Sequence, residues 1–171
     1  WEDSIENVLA QLGEATDVSS VNLFKREPGT GQEFLVSQIY EWRDAKEIAQ
    51  LHVTTSPTID LIKDGLARWV ELFEKDKPVF GNVREFPSAE QALFQSRRIL
   101  SLLCIPIYVE EADWWGFIGF NEFRAEREWN SVEIDALRAA AGSTMSRGLA
   151  ERRVSSSERS VERSLRILHF A

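Results

Sequence analysis

Three segments of the chain place apolar residues at the three- and four-residue spacing of an amphipathic helix. The first predicts a helix over 4–12, with Gly13 as the residue that ends it. The second spans 61–73 and ends before Pro78, because the residue preceding a proline is pushed out of the helical region. The third begins after an N-cap pattern at Asn130. Its apolar positions are Ile134, Leu137, Ala141, Met145 and Leu149.

Runs of β-branched and aromatic residues predict strands between these helices. They cover 18–25, 34–42, 78–83, 99–109 and 114–120. Short turns join the first two strands and the last two, so we expect a mainly antiparallel sheet of about five to six strands. A shorter helix is predicted after Pro87, with Ala92, Leu93 and Phe94 inward, whereas 43–57 shows no clear period. Helices on both faces of such a sheet define an α+β fold of three layers.

Size and charge limit the class of protein. The 171 residues are enough for one sizeable core, which we assign to residues 1–150. The net charge of −8 argues against a nucleic-acid surface, which is normally basic. Residues 151–171 differ from the rest, because they hold five Arg and three Glu. We expect them to begin a helical linker to a downstream domain.

Cysteine count and hydropathy indicate the compartment. The single cysteine excludes an internal disulfide and a zinc site built on several thiolates. No apolar run is long enough to span a membrane, and no secretory signal is present at the start. A cytoplasmic location is predicted. The sequence begins at Trp1 and its only methionine is Met145, so we expect a piece of a longer protein.

The order of motifs in the C-terminal half resembles the GAF domain. Two apolar strands, 99–109 and 114–120, are followed by the Arg/Trp loop 124–129 and the capped helix 130–141. The similarity extends over about 3–152. It implies a three-layer GAF fold and a regulatory input module of a bacterial signalling protein, such as a two-component sensor histidine kinase. The resemblance further implies a small-molecule ligand, a homodimer and no catalysis by this fragment.

The known ligand motifs of that family are missing from this chain. Members that bind cyclic nucleotides carry an Asn-Lys…Phe…Asp-Glu constellation, of which 121–123 (Asn-Glu-Phe) is only a fragment. Members that bind bilins attach the pigment through a cysteine on a helix or loop, whereas Cys104 lies inside an apolar strand. We therefore predict no cofactor. The resemblance does not identify the ligand.

Six residues are candidates for ligand contact on the elements that face a GAF-type pocket. Five are aromatic, and the sixth is a serine that would anchor a polar group. They are Tyr40, Trp69, Phe73, Phe80, Phe94 and Ser101. The alternative for each aromatic residue is ordinary core packing, since aromatic side chains dominate cores in any case.

The residues that usually carry chemistry are few. Cys104 is expected to be a buried structural residue, because a reactive thiol needs a nearby cation to lower its pKa. His52 lies beside the expected pocket mouth and His169 in the tail, without the spacing of a metal site. No Gly-x-Ser-x-Gly motif is present. The fragment is predicted to be neither an enzyme nor a metal protein.

The C-terminal segment suggests a relay between two copies of the chain. Val161, Leu165 and Leu168 continue the apolar stripe at heptad-like spacing, over fewer repeats than a coiled coil requires. We expect a parallel homodimer in which the first and last helices of the domain pack on one sheet face. Two hypotheses stay open: a small-molecule sensor, or a ligand-free dimerisation and relay module. A frayed tail is the remaining alternative for 151–171.

Overall fold

The computed structural model describes residues 2–47, 58–109, 113–143, 145 and 148. Four helices and six strands alternate along these residues. In chain order they are α1 (Glu2–Thr16), β1 (Ser20–Arg26), β2 (Leu35–Arg43), β3 (Thr58–Asp60), α2 (Ala67–Glu74), β4 (Val79–Asn82), α3 (Ser88–Gln95), β5 (Ser101–Val109), β6 (Asp113–Glu122) and α4 (131–143), with a short 3₁₀ helix (Val83–Glu85) after β4.

All six strands form one antiparallel sheet in the order β3-β2-β1-β6-β5-β4. The predicted α+β fold with a mainly antiparallel sheet is confirmed. Strand β3 was missed, because three residues are too few to show an alternating pattern. The central strands β1 and β6 are joined by pairs that run from Ser20–Asn121 to Lys25–Gly116.

The sheet separates two apolar cores. On one face, α2 and α3 bury Trp69, Phe73 and Phe94 against the sheet, and we call this the α2/α3 core. On the other face, the apolar stripes of α1 and α4 share one cluster, which we call the α1/α4 core. It includes Ile5, Leu9, Val21, Leu23, Leu103, Ile118, Ile134, Leu137 and Ala141. The prediction that the first and last helices pack on one sheet face is confirmed.

Helix α1 continues past the glycine that was expected to end it. Gly13 lies inside the helix and is buried against the Trp42 ring. A methyl group at this position would lie 2.0 Å from that ring. The small size of this glycine therefore allows the helix to approach β2. The helix ends instead at Thr16, and the next residue, Asp17, has a left-handed φ of 51°.

Two other helices differ from the predictions. Helix α2 begins at Ala67 rather than near residue 61, because the Asp60 carboxylate accepts hydrogen bonds from the backbone N–H of Ile62 and Lys63 and holds a turn there. In α3, Phe94 is buried as expected, but Ala92 is exposed. The predicted cap of α4 is confirmed: the Glu133 N–H donates to the Asn130 side chain at 2.8 Å.

Close contact between β1 and β6 should make Gly116 intolerant of any side chain. A methyl group at Gly116 would lie 2.1 Å from the Phe24 carbonyl oxygen, so Gly116→Ala should lower the free energy of unfolding by roughly 2–3 kcal/mol. Urea denaturation measures this. The control is Gly31→Ala, where no heavy atom of the described residues lies within 4 Å of the added carbon. Equal stability of the two variants would contradict the close strand approach.

Candidate ligand-binding site

Three of the predicted ligand-contact residues lie together in the α2/α3 core. The indole of Trp69 stacks on the ring of Phe94 with centroids 5.3 Å apart, and it meets Phe73 edge-on at 5.9 Å. The side chains of all three residues are buried. The packing role that was the alternative to ligand contact is thus present at each position.

The other three predicted residues are not brought to this cluster. Tyr40 packs against the α1/α4 core on the opposite face. Ser101 is fully buried, and its hydroxyl oxygen accepts the backbone N–H of Arg127 at 3.0 Å. Phe80 is 46% exposed on the edge strand β4, and its strand partner Leu103 belongs to the α1/α4 core. The six residues therefore do not share one face of the sheet.

An ion pair between an exposed arginine and a buried carboxylate fixes α2 against α3. The Glu90 carboxylate is 1% exposed and accepts hydrogen bonds from Arg68 Nε at 3.0 Å and Arg68 Nη2 at 2.7 Å. The indole N–H of Trp69 donates to the same carboxylate at 3.0 Å. Three hydrogen bonds offset the desolvation of this charge. Sequence reasoning missed Glu90, because its partners lie more than twenty residues away in the chain.

A polar cluster lies on the α2/α3 side of the sheet, next to the aromatic core. Ser20 and Asn22 of β1 project to this side, since Val21 and Leu23, which alternate with them along the strand, belong to the opposite core. The amide nitrogens of Asn22 and Asn121 each lie 3.3 Å from the Ser20 hydroxyl oxygen. Ser20 and Asn22 are almost fully buried. The acceptor Asn22 Oδ1 has no hydrogen-bond partner among the described residues.

The cluster adjoins a position that has no side chain. Gly119 pairs with Asn22 on one side and with Cys104 on the other. Of the described residues, only Cys104 Sγ would lie within 4 Å of a methyl group at Gly119, at 3.3 Å. We call Ser20, Asn22, Cys104, Gly119 and Asn121 the central notch. Two features of the sequence could have indicated this notch: polar residues at alternate positions of one strand, and a glycine inside another strand.

Cys104 is a neutral thiol in this notch. It is 4% exposed, and burial raises the pKa of the thiol well above its usual range. A neutral buried thiol is a poor nucleophile, which agrees with the structural role expected from the sequence.

Arg124 gathers acidic side chains where β6 ends. Its guanidinium nitrogens lie 3.0 Å from Glu122, 3.4 Å from Asp44, 3.7 Å from Asp17 and 3.9 Å from Glu47. It also donates a hydrogen bond to the Asp17 carbonyl oxygen at 2.6 Å. One side chain therefore connects the end of α1, the residues after β2 and the loop that leads to α4.

The buried carboxylate of this network is held in its charged form. Burial raises the pKa of Glu122, but hydrogen bonds from Arg124 and from the Ser19 hydroxyl outweigh that effect and leave the pKa below its usual value. The Ser19 hydroxyl lies 2.5 Å from the carboxylate oxygen. Ser19 also accepts the Phe123 N–H at 3.0 Å, so the network orders the backbone on both sides of Glu122.

A second arginine connects the two helices directly. The Arg127 guanidinium donates to the Thr16 carbonyl oxygen at the end of α1 and to the Glu133 carboxylate in the first turn of α4. It lies over the Trp129 ring, 4.3 Å from a ring centroid. We call Arg124 and Arg127 the helix joint.

Several predicted residues lie outside the described part of the chain. They are His52, Val161, Leu165, Leu168 and His169. Within the described residues, no group of three His, Cys, Asp or Glu side chains is arranged to hold a metal ion. A search of the same residues finds no helix that is long and apolar enough to cross a membrane.

Comparison of the sequence with known proteins finds a relative among histidine kinases. No protein-family model matches the chain. The methanogenesis regulatory histidine kinase FilI of Methanothrix harundinacea is 34% identical over 139 residues, which are 81% of this chain. The match covers 15% of the length of that kinase.

Comparison of the structure finds GAF domains. The phycocyanobilin-bound GAF domain of a cyanobacterial phytochrome matches with a TM-score of 0.74 at 15% identity, over 90% of this chain and 86% of that one. The blue-light absorbing PixJ GAF domain of Thermosynechococcus elongatus has a TM-score of 0.69 at 13% identity, over 94% and 89%. A domain of a putative two-component sensor histidine kinase from Sinorhizobium meliloti has a TM-score of 0.64 at 14% identity, over 92% and 97%.

These findings define the class of domain. The chain has the GAF fold, and the resemblance predicted from its residues is confirmed. In sequence the chain resembles a segment of a histidine kinase, and in structure it resembles GAF domains.

The Glu122 network should stabilise the fold in a pH-dependent manner. The pKa of Glu122 is lower in the folded chain than in the unfolded chain, so its carboxylate contributes stability at neutral pH that is lost as the pH falls through the folded pKa. Glu122→Gln should cost about 1–2 kcal/mol at pH 7, and its difference from the unmodified chain should shrink from about pH 5 downward. Urea denaturation across this range measures both quantities.

The control is Glu126→Gln, which breaks an exposed pair with Arg84. That variant should unfold with nearly the same free energy as the unmodified chain at every pH. A constant cost of Glu122→Gln from pH 7 to pH 3 would contradict the assigned role of the carboxylate.

Proposed function

We propose that this chain is the sensory input domain of a two-component signalling protein in which one sheet face receives a small molecule and the other moves helices. The observation that carries the proposal is that β1 and β6 contribute side chains to both faces of the sheet. Their side chains alternate between the central notch and the core that holds α1 and α4. A ligand that shifts these strands acts on both faces at once.

The comparisons support this proposal at a coarse level. The relative with 34% identity is a regulatory histidine kinase, and a structural neighbour of similar fold holds phycocyanobilin. We propose that this chain likewise serves a kinase or a similar receptor, in the cytoplasm of a bacterium. The fragment itself is proposed to be non-catalytic, with its output passed to a downstream domain.

The helix joint is the proposed route of the signal. Arg124 holds Asp44 and Glu47, which begin the connection after β2, and Arg127 holds the facing ends of α1 and α4. If α1 and α4 have two arrangements, a ligand that binds one of them more tightly would increase the population of that arrangement. Coupling of 1–3 kcal/mol is typical, or about 5- to 150-fold in affinity.

The relay predicts a separable effect of Arg127. A metabolite that raises the melting temperature should change amide hydrogen exchange in residues 131–143. Arg127→Gln should retain the thermal shift and lose the change in exchange, because it removes the contacts from α1 to α4 and leaves the notch intact. The comparison is made at equal intervals below each melting temperature.

Arg84→Gln is the matched control, since it removes an arginine whose ion pairs lie on the exposed surface. It should retain both responses. A library without any stabilising metabolite would contradict the sensor function, and unchanged exchange in 131–143 on binding would contradict the relay.

A second candidate is a ligand-free dimerisation and relay module. The observation in its favour is the mutual packing of Trp69, Phe73 and Phe94, which occupies the side of the sheet where a ligand was expected. Both candidates share the proposed parallel homodimer, which would direct both C-termini toward paired output domains. In the proposed dimer, the contacts between the two C-terminal segments are made by Val161, Leu165 and Leu168.

Charge placed in the tail seam should remove the dimer. The double variant Val161→Glu/Leu165→Glu should be a folded monomer, because burial of each aliphatic side chain contributes roughly 1.5–3 kcal/mol and buried carboxylates repel. Light scattering gives the solution mass, and circular dichroism reports the fold. Ser156→Glu/Ser160→Glu adds equal charge off the seam and should remain dimeric. A dimeric seam variant, or antiparallel tails shown by engineered cross-links, would contradict the arrangement.

A further inference from the structure

We propose that the central notch is the ligand contact point and that it takes a flat, uncharged molecule carrying an N–H or O–H donor. The donor would bond to Asn22 Oδ1. The inference rests on the proposed sensor function and specifies the chemistry of its ligand. It differs from the set predicted from sequence, because neither Asn22 nor Gly119 was in that set.

The first argument is an unused acceptor. Asn22 is 4% exposed, and its Nδ2 lies 3.3 Å from the Ser20 hydroxyl, whereas Oδ1 has no partner among the described residues. A buried acceptor without a partner is costly, and native proteins rarely leave one. A donor supplied by a bound molecule would satisfy it.

The second argument is room beside that acceptor. Gly119 lies directly opposite Asn22 in the sheet, and its backbone does not have the left-handed φ that requires glycine elsewhere in the chain, as at Gly65. A methyl group there would meet only Cys104 Sγ among the described residues within 4 Å. That sulfur lies 3.3 Å from the added carbon, so among the described residues the Cys104 thiol alone bounds the position that the missing side chain leaves open.

The third argument concerns charge and shape. The side chains of the notch are a serine, two asparagines and a neutral thiol, and a buried ionic ligand would need a counter-charge. The nearest charged neighbours along the strands, Glu41 and Arg43, are paired with each other at 2.7 Å. Next to the notch, the rings of Phe24 and Phe117 are stacked with centroids 4.6 Å apart, a wall suited to a flat ring.

A matched pair of small lactams tests the donor requirement on this chain. We would titrate 2-pyridone, a planar lactam, and N-methyl-2-pyridone while recording the Asn22 side-chain amide and the Gly119 backbone N–H by NMR. The first compound should shift both signals in a saturable manner. The second lacks the N–H and should bind at least tenfold more weakly. Equal binding of the two lactams, or no saturable shift with either, would overturn the proposal.

Two variants localise the binding. Asn22→Leu removes the acceptor and keeps its approximate volume, and Gly119→Leu fills the position beside it. Each variant should bind 2-pyridone at least tenfold more weakly. Asn82→Leu is the matched control, because Asn82 is also buried with an unpartnered Oδ1 but pairs with Ser101 on β5, away from the notch. It should bind as the unmodified chain does. Circular dichroism confirms that each variant is folded.

The outcomes separate this site from the sensor function. A metabolite that stabilises the chain equally with and without Asn22 and Gly119 would overturn the notch and leave the sensor function supported. Lactam binding that depends on both residues, in a chain that responds to no metabolite, would support the notch and contradict the sensor function.

Discussion

Strands β1 and β6 lie at the centre of the sheet, and their close pairing is the constraint on which both cores depend. Gly116 permits this approach, because a methyl group there would lie 2.1 Å from the Phe24 carbonyl oxygen. The same two strands supply Val21, Leu23 and Ile118 to the α1/α4 core, and Phe24 and Phe117 to the α2/α3 core. A change in the position of these strands would therefore alter the packing on both faces of the sheet, as the proposed coupling of binding to helix movement requires.

Electrostatic contacts fix the position of the helix ends, which the apolar cores do not determine. The cores hold the helices against the sheet, but apolar packing does not fix how the end of α1 meets the start of α4. Arg127 does so by bonding to Thr16 and Glu133, and Arg124 adds the residues after β2. Such contacts are weak when exposed, and half-buried ones of this kind are suited to rearrangement between two states of similar energy.

Periodic segments were predicted well, and contacts between distant residues were not. The apolar runs of β5 and β6 and the stripe of α4 identified these elements and the GAF fold. The end of α1 was misplaced, because Gly13 is explained only by the Trp42 ring, nearly thirty residues away. Glu90 and Arg124 were missed for the same reason: a charged side chain in a surface pattern does not reveal a buried partner elsewhere in the chain.

By itself, the sequence determined the class of fold, the order of all elements except β3, and the apolar stripes of α1 and α4, because these follow from local patterns. The tertiary structure decided which candidates share a face. It put Ser101 and Tyr40 on the side opposite Trp69, because a single-residue step along a strand reverses the direction of a side chain. It also brought Asn22, Gly119 and Cys104 together across three strands, a proximity that depends on register and that no local pattern contains.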